Sequence, residues 1–422
     1  MLLYCKYYEK SGMSLKKKNP VFLSFLLYRT SIYLKFLIRI GVDFIEIFQP
    51  LPKKTAVSPK AKQILIFNWR DLKHRYSGGA EVYLHEIAKQ WVKMGSKVTL
   101  FCGNDGKCKR YEIIDGIEII RRGGFYFVYI WAFLYYMLRF RGNYNVILDC
   151  ENGIPFFTPL YAKEKIFCLV FHVHQEIFRR SLIKPLAAAV SFLEKKIMPS
   201  VYKKTQFITI SKSSKKDMEE LGITKGKISI ISPGVDCKAY VPGKKSPRPL
   251  ILYLGRLKFY KSVHLFLQTA KKLSEKFPNA EFIIAGDGEE MPNLKKLRKK
   301  LHLQKKVKIL GRVSEKRKIE LLQKAWVFIN PSFMEGWAIT TIEANACATP
   351  VVVSNVQGLK DSVESGRSGF LVKYGKVDDF VKYTSLLIKK ESQRIRMSRF
   401  ARIWAKNFSW NKSAKKHLEI LK

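Results

Sequence analysis

Short apolar, β-branched runs alternate with helix-forming stretches through most of this chain, and the alternation stops once and starts again. QILIFN (63–68), SKVTLFC (96–102), NVILDC (145–150), KIFCLVFH (165–172), QFITIS (206–211) and KISIIS (227–232) have the length and composition of buried strands. An amphipathic helical stretch, 78–95, ends at Gly95. Ser211 is placed to cap a helix that Gly222 closes. Strands apolar on both faces, separated by helices, require a doubly wound parallel sheet. The stretch YVPGKKSPRP (240–249) then breaks the pattern as a linker. Beyond it come LILYLG (250–255), EFIIAG (281–286), VKIL (307–310), AWVFI (325–329) and PVVV (350–353), with helices expected over 261–276, 290–301 and 315–323. The expected fold is α/β with two Rossmann-like, doubly wound parallel-sheet domains, 61–240 and 241–408. An N-terminal extension, 1–60, precedes them, and a terminal helix, 409–422, follows.

The 78 Lys and Arg outnumber the 34 Asp and Glu, for a net charge of +44. The basic doublets are scattered, with no nucleic-acid-binding motif or aromatic stacking platform, so no nucleic-acid partner is expected. Lysine-rich composition and attraction to an anionic membrane surface both fit, since a basic residue near such a surface contributes about 1 kcal/mol. The basic-apolar stretch 21–48 can lie in a membrane interface or cover the first domain as a helix. The aromatic run FYFVYIWAFLYYML (125–138) would extend about 21 Å as a helix, too short to span a bilayer comfortably. Its place between two strands makes it a crossover helix. The seven cysteines form no CxxC pair and no metal-like cluster. A reduced, cytoplasmic setting is expected, with peripheral attachment at the inner face of the cell membrane.

The segment 331–358, PSFMEGWAITTIEANACATPVVVSNVQG, carries the most chemistry. It reads strand, tight loop, helix, strand. Glu335 sits in the loop and Glu343 in the helix, eight residues on, with a helix N-terminus between them. Free backbone N–H groups there suit a phosphate. Two carboxylates around an anion site suit a sugar nucleotide; two solvated helix carboxylates are the plain alternative.

The segment resembles the Glu-x7-Glu signature of the retaining glycosyltransferases of family 4, which have the GT-B fold, and the resemblance runs from about residue 63 to 421. It implies two domains facing a cleft, with a nucleotide-sugar donor on the C-terminal domain and a glycan or lipid-linked acceptor on the N-terminal one. Glu335 would hold donor-sugar hydroxyls and Glu343 the nucleotide ribose, with Gly336, Trp337, Ala338, Ile339 and Thr340 lining the donor site. Gly is usual in the family where this chain has Ser262, Ala338 and Ala348.

Other positions follow from the same resemblance. Arg256 and Lys261, in GRLKFYKSV, would clamp the donor diphosphate and stabilise the leaving nucleotide. Gly78 and Gly79, in SGGAE, would let the backbone approach an anion. In FHVHQE (171–176), His174 aligns with the family's active-site histidine; a metal-binding His172–His174 pair is the rival reading. Gly286 and Gly288 would flank the nucleotide, and Asp236 would shape a turn. Neither a cofactor nor a metal is expected. An epimerase or phosphorylase of the same fold, or an inactive binding or scaffold protein, is the alternative function.

Overall fold

Two parallel sheets organise the chain. The computed structural model describes residues 41–48, 61–175, 183–224 and 226–422. The first sheet contains β1 (Gln63–Phe67), β2 (Lys97–Cys102), β3 (Tyr111–Ile114), β4 (Ile117–Arg121), β5 (Val146–Glu151), β6 (Lys165–Val170), β7 (Gln206–Thr209) and β8 (Ile228–Ile230). Its order is β3-β4-β2-β1-β5-β6-β7-β8. The second contains β9 (Leu250–Leu254), β10 (Glu281–Ala285), β11 (Val307–Gly311), β12 (Val327–Asn330), β13 (Val351–Ser354) and β14 (Gly369–Val372), in the order β11-β10-β9-β12-β13-β14. The central strands are buried along their length, as their unbroken apolar runs require.

In each sheet the strand order reverses once, between β1 and β5 and between β9 and β12. Helices leave to opposite faces at such a point, which opens a crevice at the strands' C-terminal ends. β3 is an addition to the expected strands. It pairs antiparallel with β4 across Asp115 and Gly116, both at positive φ, the backbone of a tight two-residue hairpin.

Helix Gly79–Lys93 buries Tyr83, Leu84, Ile87 and Trp91 against the first sheet. The terminal helix Trp410–Ile420 returns from the second domain to pack on it. Trp91 Nε1 donates to the Ala414 carbonyl at 3.1 Å, and Tyr83 Oη meets His417 Nε2 at 2.7 Å. Arg402 ties the linker to the second domain by donating to the carbonyls of Cys237, Tyr240 and Ala346.

The aromatic run forms helix Gly124–Tyr135 and a π turn, Tyr136–Phe140, crossing from β4 to β5. One face buries Val128, Trp131, Tyr135 and Phe140 with Phe67 and Phe101, while Ile130, Phe133, Met137 and Leu138 are exposed. Residues 41–48 are helical and cover the same domain. Glu46 pairs with Arg110 and Arg122, each at 2.7 Å, Asp43 accepts from Gly123 N–H, and Ile47 enters the core. The rest of the extension, including 21–40, lies outside the described residues.

Candidate active site

A cleft of about 260 Å³ opens between the sheets at their switch points. Arg70, Gly78, Gly79, Asn152 and His172 line it from the first domain. Arg256, Lys261, Lys318, Glu335, Gly336, Trp337, Ala338, Ile339, Thr340 and Glu343 line it from the second. Arg70 follows β1 and Asn152 follows β5, the strands on either side of the first switch point.

On the second wall, charges meet one another. Lys261 Nζ lies 2.5 Å from Glu335 Oε1, which also accepts the Ser332 hydroxyl at 2.9 Å. Arg256 Nη2 donates to Tyr260 Oη at 2.8 Å, and Nη1 crosses the cleft to the Tyr76 carbonyl at 3.2 Å. A Cβ on Gly78 would lie 2.7 Å from Arg256 Cζ, so only glycine admits the guanidinium this close. Glu343 Oε1 accepts from Lys318 Nζ at 2.8 Å and from Tyr240 Oη at 3.0 Å, while its buried Oε2 has no hydrogen-bond partner among the described residues. Burial works to lower the Lys318 ammonium, but Glu343 and Glu315 outweigh it and raise it.

Helix Ile339–Ala346 carries no side-chain N-cap, leaving its first N–H groups to the cleft. Ala338 holds φ +66°, Ser262 +48° and Ala348 +54°. The three positions where glycine was the expected residue are thus all left-handed, and this chain holds side chains there against the usual steric cost.

The first wall rests on buried carboxylates. Glu81 lies 2.6 Å from Arg70 Nε, accepts the Gly78 N–H at 2.7 Å, and accepts from Asn152 Nδ2 at 3.1 Å. One residue thereby orients three groups of the wall. The histidine expected at the cleft, His174, is not there; His172 is. Both rings project to the same side, with centroids 4.1 Å apart, as i and i+2 residues of extended chain do. His172 emerges beside Gly336, while His174 is buried between Glu151 and Glu194. Burial, then His174, Lys261, Arg256 and Arg70, push the His172 imidazole well below its ordinary value.

Gly286 and Gly288 also fall outside the lining. A Cβ would lie 1.8 Å from the Gly255 carbonyl oxygen at Gly286 and 2.3 Å from that of Leu257 at Gly288. They let the loop after β10 pack under the loop that carries Arg256. Asp236 accepts the Lys238 N–H at 2.9 Å within a turn.

Arg70, Asn152 and Lys318 were not marked by the sequence. Arg70 and Asn152 stand just past strand ends at the switch point, a usable signal. Lys318 is one basic residue among 78 and carries none. Among the described residues one trio, Glu151, His174 and Glu194, has ligand-type atoms within 4.8 Å of one another. Both Glu194 oxygens already accept N–H groups, from the His174 backbone at 2.8 Å and the Gln175 amide at 2.6 Å.

Two doubly wound sheets with a cleft between their switch points define the GT-B class. The same fold is seen in a sucrose-phosphate synthase from Thermosynechococcus elongatus (TM-score 0.72, 16% identity, 85% of this chain and 98% of that one). A glycosyltransferase from Rickettsia africae is also similar (TM-score 0.70, 21% identity, 86% and 98%). Residues 77–239 match the sequence model of Glycosyltransferase Family 4, and residues 239–404 that of Glycosyl transferases group 1. The chain belongs to the GT-B glycosyltransferases that these adjoining matches describe.

Among its relatives, a D-inositol 3-phosphate glycosyltransferase of Corynebacterium urealyticum is 29% identical over 216 residues, 46% of this chain and 51% of that protein. A UDP-Gal:alpha-D-GlcNAc-diphosphoundecaprenol alpha-1,3-galactosyltransferase of Escherichia coli is 29% identical over 230 residues, 51% and 58%. The match therefore spans little more than half the length of these relatives.

Proposed function

We propose that this protein transfers a hexosyl group from a nucleotide sugar to a glycan or lipid-linked acceptor, with retention of anomeric configuration and without a divalent metal. The observation that carries this reading is the meeting, in one cleft, of Arg256 and Lys261 with Glu335 and Glu343 around an uncapped helix N-terminus. Departure of a sugar from a nucleoside diphosphate leaves negative charge behind. Arg256, Lys261 and the N–H groups of residues 339 and 340 receive it, and preorganised donors of this kind lower such a barrier. Lys261 then exchanges its Glu335 partner for phosphate, freeing Glu335 for sugar hydroxyls. The open Oε2 of Glu343 accepts from a ribose hydroxyl. The acceptor lies on the wall of Arg70, Asn152 and His172, and its hydroxyl attacks from the face the nucleotide leaves.

A peripheral site at the inner face of the membrane fits this acceptor class. The outer face of the 124–140 crossover is apolar, and exposed Phe44, Ile45 and Phe48 add to the apolar surface of this domain. Among the described residues no helix is long and apolar enough to cross a membrane.

Nucleotide sugars are screened for thermal stabilisation, and the best donor is assayed with sugar-diphosphate lipids and with free glycans, with and without EDTA. The expected product keeps the donor's anomeric configuration, and its rate is unchanged by EDTA. Stabilisation by no nucleotide sugar, an inverted product, or conversion of the donor without an acceptor overturns the reading. Sedimentation with anionic vesicles should weaken as salt shortens the screening length from about 10 Å at 0.1 M to about 3 Å at 1 M. A chain that stays in the supernatant with anionic vesicles at low salt removes the membrane from the proposal.

A further inference from the structure

Behind the first wall of the cleft lies a group of buried charges from three separate places. Glu151 ends β5, His174 follows β6, and Glu194 sits on the helical stretch after residue 183. Each is at most 6% exposed. His174 Nδ1 lies 3.4 Å from Glu151 Oε1 and 3.7 Å from Glu194 Oε1. Glu194 is further anchored by the N–H groups of His174 and Gln175, and Glu151 Oε1 accepts the Gly153 N–H at 2.7 Å. Helix Lys184–Phe192 runs into a π turn, Leu193–Ile197, and Glu194 is the turn's second residue. A π turn inside a helix shifts its register and often marks a functional position. Two carboxylates buried this deeply need a cation between them or a proton on one of them; burial raises the Glu151 carboxyl, and the neighbouring His174 works against that rise.

The other side of the His174 ring faces His172, at 4.1 Å between centroids and 36° between planes. His172 is the ring that reaches the cleft. The charged groups acting on it are His174 from behind, Lys261 and Arg256 from the opposite wall, and Arg70 from its own. A second positive charge in that position is disfavoured by all four.

We propose that His174, clamped by Glu151 and Glu194, is a positioning residue that holds His172 at the cleft wall as a neutral imidazole in one orientation. A neutral ring offers one donor and one acceptor to a sugar or acceptor hydroxyl. A charged ring would compete with the cleft's own cations for the diphosphate. It would also sit beside a sugar that becomes electron-poor as the nucleotide leaves. The clamp fixes the ring's charge and angle without touching substrate.

The direct test needs no substrate. The full chain is labelled with ¹⁵N-histidine and its seven rings are followed by long-range ¹H–¹⁵N spectra from about pH 5.5 to 9.5, a range that brackets the ordinary histidine pKa. H172Q and H174Q assign the two signals. His174, raised to about 10, is expected to keep both ring protons through most of this range, and His172, pushed down by burial and its cationic neighbours, to stay neutral in a single tautomer across it. In E194Q, His174 should lose its proton nearer neutrality and His172 should begin to take one up. If E194Q does not fold, E151Q is read in the same way. A neutral His174 near pH 7 in the unmodified chain overturns the proposal, as does a His172 indifferent to the Glu194 or Glu151 change. Stoichiometric zinc in the purified protein also overturns it, because a metal and not a proton would then join the carboxylates.

A second arm rests on the proposed transfer reaction. E194Q should shift the acid limb of kcat upward, with about a tenfold loss per pH unit on the acid side and little change in donor KM. Glu194→Asp should restore the profile. An unchanged acid limb beside the expected spectra would overturn the positioning role. Absence of any transfer by the unmodified chain would refute the function reading while the spectra still decide the clamp.

Discussion

The two walls of the cleft are built on different plans. On the second-domain wall the charged groups stand in the cleft and pair with one another, Lys261 with Glu335 and Lys318 with Glu343. On the first-domain wall the groups lining the cleft are Arg70, Asn152 and His172, and the carboxylates stand behind them: Glu81 behind the first two, and Glu151 and Glu194, through His174, behind the third. A wall of mutual pairs is ready to exchange partners when an anion arrives. A braced wall is ready to hold a neutral hydroxyl at one angle. On the proposed reading, charge handling falls to one domain and positioning to the other.

The comparison breaks most easily at Lys261. Lys261→Ala should slow transfer by about 10²–10³, the usual cost of removing one preorganised charge-stabilising donor. Initial rates at saturating donor measure it, and a loss under about threefold would remove Lys261 from the charge-handling wall. Glu343→Ala should come next, weakening nucleotide binding by about 1.5–3 kcal/mol, the worth of a hydrogen bond to a charged group. Calorimetry with the nucleotide alone checks this, and an unchanged affinity would leave Lys318 and Tyr240 as the only partners of Glu343.

Glu81→Gln sharpens the contrast. It should raise acceptor KM or lower turnover by about tenfold, near the low end of a charged hydrogen bond, and leave nucleotide affinity alone. Equal effects on both substrates would mean that the walls are not separable.

The clamp on His174 also predicts how stability varies with pH. Burial alone would lower this imidazole, but Glu151 and Glu194 raise it to about 10. A folded value above the unfolded one, about 6.5, gives stability that is complete below about pH 6.5 and is lost as pH rises through about 10. Urea midpoints should therefore fall between those limits, and less steeply in H174Q. Parallel curves would separate His174 from its carboxylates. The smallest expected effect lies outside both walls. Ala348→Gly, just past the end of helix Ile339–Ala346 at φ +54°, should stabilise the fold by about 1 kcal/mol with transfer unchanged. A lower urea midpoint would show that the methyl group contributes more than the strain costs.

The second-domain wall was legible because its parts are contiguous. A strand, a tight loop and a helix place Glu335 and Glu343 by local geometry, and an apolar run that ends at Gly255 places Arg256. Alternation of apolar runs with helical stretches determined both sheets, since a strand covered on both faces has few alternatives in composition. The β3 strand was not read from the sequence, although the Asp115-Gly116 pair between YEII and IEII carries a turn signal for it.

What the sequence could not decide was which side chains meet across elements. His172 and His174 share one face of an extended segment, and nothing local distinguishes them. The pairing of His174 with Glu194, twenty residues away on another element, buries one ring, and the approach of Gly336 places the other at the cleft. Gly286 and Gly288 are marked by the sequence as glycines beside a nucleotide, and only the structure shows the loop of β9 packed against them. Arg70, Gly78 and Asn152 become one wall only through Glu81. Period and composition determine which segments are strands and helices, because those are set by neighbours in the chain. The brace behind the first wall is set by groups that burial brings together from distant strand ends, and only the tertiary structure decides it.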